Sequence, residues 1–222
     1  KWVHIALKMG KSKLTNVGII GPNGIGFNHA RIFNNKGVKI KSILSSSQNS
    51  AHTAASLYKN NFGLRPLAFT KIEEMVSSGL DAVSICSPYE HHLSHIINCM
   101  DHNIPVLCEK PMFWDESFTY ESVKKKLEVI KNHSKRRIFT NTCNAAFLAM
   151  LSKKLPADIT YFKFIFHTQG KYNFINIAID LLPHAISFIL RLFGVREIKK
   201  FKYRGINLKS INKILYLSKL LL

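Results

Sequence analysis

The sequence predicts an α/β protein: a doubly wound parallel sheet in the N-terminal part, followed by a partial α+β domain. Three observations carry that reading. Over roughly the first 140 residues, short apolar runs alternate with segments of helical character, and each run is too uniformly apolar to keep one face in water. The first run ends in a cluster of glycines. Beyond about residue 143 the rhythm changes to longer aromatic runs around one apolar helix. The expected division is an N-terminal extension (1–15), the sheet domain (16–143) and the partial domain (144–222).

Element by element, NVGII (16–20) reads as a short buried strand, and the glycine cluster then opens a helix reaching about Phe33. VKIKSIL (38–44) alternates as a second strand and runs into the polar SSSQNS. AHTAASLYKNNF is helical, with Gly63 as its stop. PLAF (66–69) is a third strand, and KIEEMVSS a short helix closed by Gly79. DAVSICSP (81–88) is a fourth strand broken by Pro88, and HHLSHIINCMDHN a helix. IPVLCEKP (104–111) is a fifth strand that again meets proline. DESFTYESVKKKLEVIKNH is a long helix, acidic at its start and basic at its end as the helix dipole favours. RRIFTNTC closes the sheet domain as a sixth strand. In the last part, ITYFKFIFHT (159–168) is an aromatic strand, DLLPHAISFILRLFG (180–194) a helix ending at Gly194, and REIKKFKYRG (196–205) a strand. The closing SINKILYLSKLLL places its apolar residues at helical spacing.

Composition narrows the function classes. Of the 222 residues 46% are apolar, with 15 Phe, which excludes a disordered chain. The net charge of +19 admits a nucleic acid, an acidic membrane surface or an anionic small ligand. The excess is mostly lysine spread along the chain, as in a compositional bias, and no arginine-rich arm, zinc-finger spacing or RNA-binding aromatic signature accompanies it. Neither a nucleic-acid nor a membrane partner is expected. Cys86, Cys99, Cys108 and Cys143 lie in or beside apolar stretches without a CxxC pair, which reads as buried thiols in a reducing compartment. No secretory-type apolar core and no 18-residue charge-free apolar run occurs, so the expectation is a cytoplasmic protein. Met9 precedes a natural-looking start, which makes residues 1–8 read as upstream sequence.

The chemistry begins at Gly21-Pro22-Asn23-Gly24-Ile25-Gly26. In a dinucleotide-binding turn the first glycine permits the tight bend, the second lets the backbone approach the pyrophosphate, and the third packs helix on strand. Gly21 and Gly26 take the first and third roles. Asn23 stands where the second belongs, with Gly24 beside it. Asparagine tolerates positive φ better than other side chains, and such a turn still offers backbone N–H groups at a helix N-terminus.

Downstream, SICSPYEHH (84–92) and VLCEKPM (106–112) resemble the glucose-fructose oxidoreductase/inositol dehydrogenase family (Gfo/Idh/MocA). The features shared are His29-Ala30 after the turn, Ser87-Pro88 with His92 four positions on, Glu109-Lys110-Pro111 at the end of strand five, and Asp180 with His184 four apart on a helix. The resemblance covers about residues 16–195. It implies a Rossmann-type domain and an NAD(P)-dependent oxidoreductase acting on a sugar, cyclitol or related polyol. It also implies Lys110, Asp180 and His184 as catalytic residues, with Ser87, Pro88, His92, Glu109 and Lys110 beside the cofactor. The residue chemistry agrees: a lysine at a strand's carboxyl end can stabilise an alkoxide. An aspartate and histidine at i and i+4 share a helix face, where the imidazole can take a hydroxyl proton. Without the resemblance, Lys110 reads as one more surface lysine, His184 as a core histidine, and Glu109 as a partner for a backbone amide.

Cofactor choice rests on the end of strand two. An acid there binds the ribose 2′-hydroxyl of NAD, whereas Ser45, Ser46 and Ser47 stand there without one, so NADP is favoured over NAD. His91, His95 and Cys99 invite a zinc reading, but eight residues of helix separate the outer two by about 12 Å, too far for one ion, and no metal is expected. The family's second domain carries a large sheet, used for the substrate pocket and often for oligomer contacts. Here only its opening strand, the Asp/His helix and one more strand are expected, as in a truncated member with an exposed sheet edge. A homo-oligomer through that sheet is expected if it is complete. The alternative function is a nucleotide-binding module without catalysis.

Overall fold

The computed structural model describes residues 15–115, 117, 119–133, 138–142, 147–148, 150–151, 154–155, 163–169, 174–193, 203–207 and 212–218. The chain divides into two compact units at Asn141/Thr142. In the first, six strands form one parallel sheet: β1 (Asn16–Ile20), β2 (Lys39–Leu44), β3 (Leu67–Phe69), β4 (Ala82–Ile85), β5 (Val106–Cys108) and β6 (Ile138–Thr140). Their order in space is β3-β2-β1-β4-β5-β6, with every adjacent pair parallel. This is the doubly wound order, and the reversal between β1 and β4 opens a crevice outside the strands' carboxyl ends.

Helices α1 (Ile25–Asn34) and α2 (Gln48–Phe62) cover one face; α3 (Ile72–Val76), α4 (His92–Asp101) and α5 (Tyr120–His133) cover the other. Strand alternation feeds both. Val17, Ile19, Ile40 and Ile43 pack with Ala30, Phe33 and Tyr58 on the first face. Ile20, Leu44, Val83, Ile85 and Val106 pack with Met75, Ile96 and Ile130 on the second. Several ends are set by sequence signals. Ser47 caps α2 by accepting from Ser50 N, and Gly63 ends it at φ 68°. That start makes Gln48, Asn49 and Ser50, expected as a polar connection, the first turn of α2.

Three expectations are corrected. The long helix does not start at Asp115: the Asp115 carboxylate accepts from Ser117 N, a local turn, and α5 begins after Thr119, whose Oγ1 accepts from Ser122 N while Ser122 Oγ accepts from Thr119 N. In the second unit, α6 spans Phe174–Phe193 and runs through Pro183. Asp180 and Pro183 resemble helix-start signals, but they lie in its interior because the apolar spacing already begins upstream. The closing segment is a strand, not a helix: β9 (Asn212–Ser218) lies antiparallel between β7 (Lys163–Gln169) and β8 (Tyr203–Asn207). A short apolar run fits both periods, and strand pairing on both sides decides it. Among the described residues, the second unit thus holds three strands where two were expected. Phe164 packs on Ala185 and Phe188 of α6. The stretches 159–162 and 196–202 of the expected strands, and Cys143, lie outside the described residues. Among the described residues, no helix is long and apolar enough to cross a membrane.

Candidate functional site

The glycine turn joins β1 to α1, and its backbone explains its sequence. Gly21 has φ +73°, and a Cβ there would lie 2.6 Å from Ser87 N and 2.7 Å from Cys86 C and O. The turn therefore presses against the end of β4. A Cβ on Gly26 would lie 2.0 Å from Gly21 O, so helix and strand approach as the third-glycine role requires. The remaining positive φ falls on Gly24 (+52°), and among the described non-glycine residues only Asn103 has one. Asn23 therefore needs no left-handed tolerance, contrary to expectation; the special conformation has moved one residue on. Asn23 O accepts from Gly26 N at 2.9 Å. From beneath, the buried Tyr58 donates its hydroxyl to Pro22 O (2.9 Å) and Gly26 O (3.3 Å), and burial pushes its phenol up.

No side chain caps the first turn of α1, whose N-cap is Gly24 and whose first residue is the exposed Ile25. Uncapped N–H groups beside two glycine-only approaches form a cradle suited to the pyrophosphate of a dinucleotide. Beside the turn lies a cleft of about 430 Å³ at the β1/β4 reversal. Gly21, Pro22 and Asn23 form one wall and Ser87 and Pro88 another. Ser45 and Ser46, at the end of β2, form a third. Ser45 is buried, while Ser46 is exposed; Ser47 is spent on capping α2. Among the described residues, no carboxylate lines the cleft.

The lining residues that were not anticipated include Ser50, Thr70, His91 and His95. Thr70 directly follows β3, so the strand-end rule would have found it. His95 Nδ1 lies 3.1 Å from Ser87 Oγ. Burial, then the neighbouring His91 and His92, lower its pKa to about 4, so it is neutral near pH 7. Cys99, one turn on, sits in the core instead, where burial pushes its thiol up to about 12.

The Glu-Lys-Pro turn leaves the end of β5, and the Lys110–Pro111 peptide is cis. Glu109 is 9% exposed. Its Oε1 lies 2.9 Å from His29 Nε2, on α1, and also accepts from Asn141 Nδ2, just beyond β6. Its Oε2 accepts from Lys110 N at 3.4 Å, the backbone pairing expected as its plain role. The other nitrogen of His29 lies 2.8 Å from Ser84 Oγ and 3.5 Å from Cys86 Sγ. Burial alone would lower the pKa of His29, but Cys86 and Glu109 outweigh it and raise it to about 10. Burial opposes ionisation of Glu109 as well; the bonds from His29 and Asn141 prevail and hold its pKa below the usual value. His92 is 1% exposed, with Nδ1 2.8 Å from Pro111 O and Nε2 2.7 Å from Ser87 O. Cys86, Cys99 and Cys108 are buried free thiols.

In the second unit, Asp180 and His184 lie four apart on α6, the aspartate exposed and the histidine half-buried.

Comparison with known proteins agrees with this architecture. Residues 15–141 match the model of the oxidoreductase family with an NAD-binding Rossmann fold, GFO_IDH_MocA. Over 125 residues the chain is 30% identical to inositol 2-dehydrogenase of Corynebacterium glutamicum (strain R), covering 55% of this chain and 36% of that protein. The chain thus spans about a third of the length of that curated relative. The structure of myo-inositol 2-dehydrogenase from Lactobacillus plantarum is similar with a TM-score of 0.51 at 25% identity, over 64% of this chain and 42% of that one. Scyllo-inositol dehydrogenase from Lactobacillus casei, solved with NAD(H) and scyllo-inositol, shares the fold with a TM-score of 0.67 at 24% identity, over 88% and 60%. A family model that covers more than half of the chain, on the doubly wound sheet and glycine turn just described, has one consequence: the chain belongs to the Gfo/Idh/MocA oxidoreductase family, through its NAD-binding Rossmann domain.

Proposed function

We propose that this chain carries the nucleotide-binding and proton-handling residues of an NAD(P)-dependent oxidoreductase acting on a cyclitol or related polyol. The observation that carries the reading is the convergence of the glycine turn, Ser87-Pro88 and the Glu-Lys-Pro turn on the carboxyl ends of β1, β4 and β5. The backbone from Gly21 to Gly26 would hold the pyrophosphate, with Ser45 and Ser46 at the adenosine ribose and Ser87, Pro88, His92 and Glu109 bounding the rest of the site. A bound nicotinamide supplies the hydride acceptor. Lys110 would set its ammonium against the substrate oxygen as negative charge grows there. His184 would take the hydroxyl proton, with Asp180 on the same helix face orienting it. Because Ser45 and Ser46 are hydroxyls and no acid among the described residues lines the cleft, NADP is favoured over NAD; a 2′-phosphate accepts from hydroxyls where a carboxylate would repel it.

The test has two stages. NADPH and NADH are titrated by energy transfer from Trp114, and myo-inositol oxidation is then followed with each oxidised cofactor for the wild type and Lys110→Met. Saturable binding near micromolar Kd (about −8 kcal/mol), tighter for NADPH, with turnover lost in Lys110→Met, is the expected result. Binding with no turnover across a polyol panel would establish the second reading, a nucleotide-binding module. No binding by a folded sample would refute both.

A further inference from the structure

Lys110 stands between two residues that are each gripped by a different buried histidine. On its N-terminal side, Glu109 is held by His29 from α1. On its C-terminal side, the carbonyl of Pro111 faces His92 from α4. Each ring uses its second nitrogen at β4: His29 Nδ1 reaches Ser84 Oγ, and His92 Nε2 reaches Ser87 O. The helices lie on opposite faces of the sheet. The turn is therefore clamped from both faces and referenced twice to the strand that borders the cleft.

We infer that His29 and His92 are positioning residues for Lys110, clamping the Glu-Lys-Pro turn to the end of β4 so that the lysine's backbone is set relative to the nucleotide cleft. This rests on the proposal that Lys110 is the catalytic lysine. Bulk alone does not account for the arrangement. A buried ionic or polar group is weak support for stability, since apolar residues of similar volume often serve as well. What a ring with two directed nitrogens adds is a fixed span, between the Glu109 carboxylate and the Ser84 hydroxyl for His29 and between the Pro111 and Ser87 carbonyls for His92. The two clamps also use different atoms toward the turn: His29 presents Nε2 and His92 presents Nδ1.

That difference supplies a test. A glutamine amide nitrogen reaches about where Nε2 stood, and an asparagine amide nitrogen about where Nδ1 stood. The full chain is made as His29→Gln, His29→Asn, His92→Gln and His92→Asn. Lys110 is then footprinted with acetic anhydride, its acetylation rate read by mass spectrometry against the exposed Lys124 and Lys125. Circular dichroism and melting confirm that each variant is folded. Positioning predicts opposite orders: at 29 the glutamine variant stays within about 1.5-fold of wild type and the asparagine variant departs by threefold or more, and at 92 the reverse. The same order at both positions, or no change in any folded variant, would overturn the clamp.

If asparagine at 29 or glutamine at 92 fails to fold, the better-matched variant of each pair still decides: a threefold departure in either of them refutes the inference. Where the wild type oxidises myo-inositol, the same crossed order is expected in kcat, with KM for the polyol within twofold. A wild type without turnover refutes the catalytic reading of Lys110, while the footprint still decides whether the histidines set its position.

Discussion

Replacing Gly26 by alanine tests whether the glycine turn is built as described. The added Cβ would sit 2.0 Å from Gly21 O and 3.2 Å from Ile19 Cγ2. Carbon and oxygen meet comfortably at about 3.3 Å, so α1 must retreat from β1 by roughly an ångström. The retreat would open the packing of Ala30 and Phe33 on Val17 and Ile19. Overpacking of a tight core typically costs 1–3 kcal/mol, and here the obstacle is backbone rather than a side chain that can swing away, so about 3 kcal/mol is expected. With a urea slope of about 2 kcal/mol per molar, the midpoint falls by about 1.5 M. The control is Gly37→Ala, where φ is +72° but a Cβ meets nothing within 4 Å; it carries only the left-handed cost, about 1 kcal/mol. Both are measured by urea unfolding through Trp114 fluorescence in a Trp2→Phe background, followed by NADH titration. Equal midpoint shifts for the two variants would refute the packing account. Unweakened NADH binding by Gly26→Ala would refute the turn as cofactor cradle.

Three more outcomes are expected. The folded pKa of His29 is raised from 6.5 to about 10, so its contribution to stability is complete below about pH 6.5 and disappears as pH climbs toward 10. That of Glu109 is lowered from 4.5, so its contribution is present above that value and fades in acid. Unfolding free energy should therefore drop, on the order of 3 kcal/mol, between pH 6.5 and 10 in the wild type and less in His29→Gln; parallel pH curves for the two proteins would refute the ion pair. Tyr58→Phe removes the donor to Pro22 O and should cost about 1–1.5 kcal/mol, read as a melting shift together with weaker NADH binding. Ser46→Asp places a carboxylate at the cleft wall and should raise the ratio of NADPH to NADH dissociation constants at least tenfold, about 1.4 kcal/mol. An unchanged ratio would mean that the 2′ position lies elsewhere.

The sheet domain was legible because its signals are local. Parallel strands buried on both faces read as short apolar runs, and Gly63 marks the helix end it was expected to mark, at positive φ; the short helix before Gly79 instead stops at Val76 with Ser77 as its cap, and Gly79 lies in the turn beyond. The errors came where two local signals competed. Asp180 and Pro183 suggest a helix start yet sit inside α6. The apolar run in β9 suits helix or strand, and only its two neighbours choose. At the site, Gly21 and Gly26 were visible because the turn after β1 needs glycine there, and Ser87 and Glu109 were singled out by the family's motifs. Tyr58 and Asn141 were not, since their roles arise from contacts 36 and 32 residues away in sequence, to Pro22 and Glu109. No periodicity encodes such pairings.

Asn23 shows how a motif can lose a residue and keep its geometry. Left-handed backbone is not required at that position, because the positive φ is carried by Gly24; under the proposed function, what the position must allow is close approach of the backbone to the cofactor. The Asn23 side chain is exposed, so the turn accepts it without displacing the core. At Gly21 and Gly26 the obstacle is the protein itself, the end of β4 in one case and the Gly21 carbonyl in the other. Substitution there is opposed whether or not a ligand binds. The three positions therefore answer to different constraints: two to the sheet's own packing and, under the proposed function, one only to the cofactor.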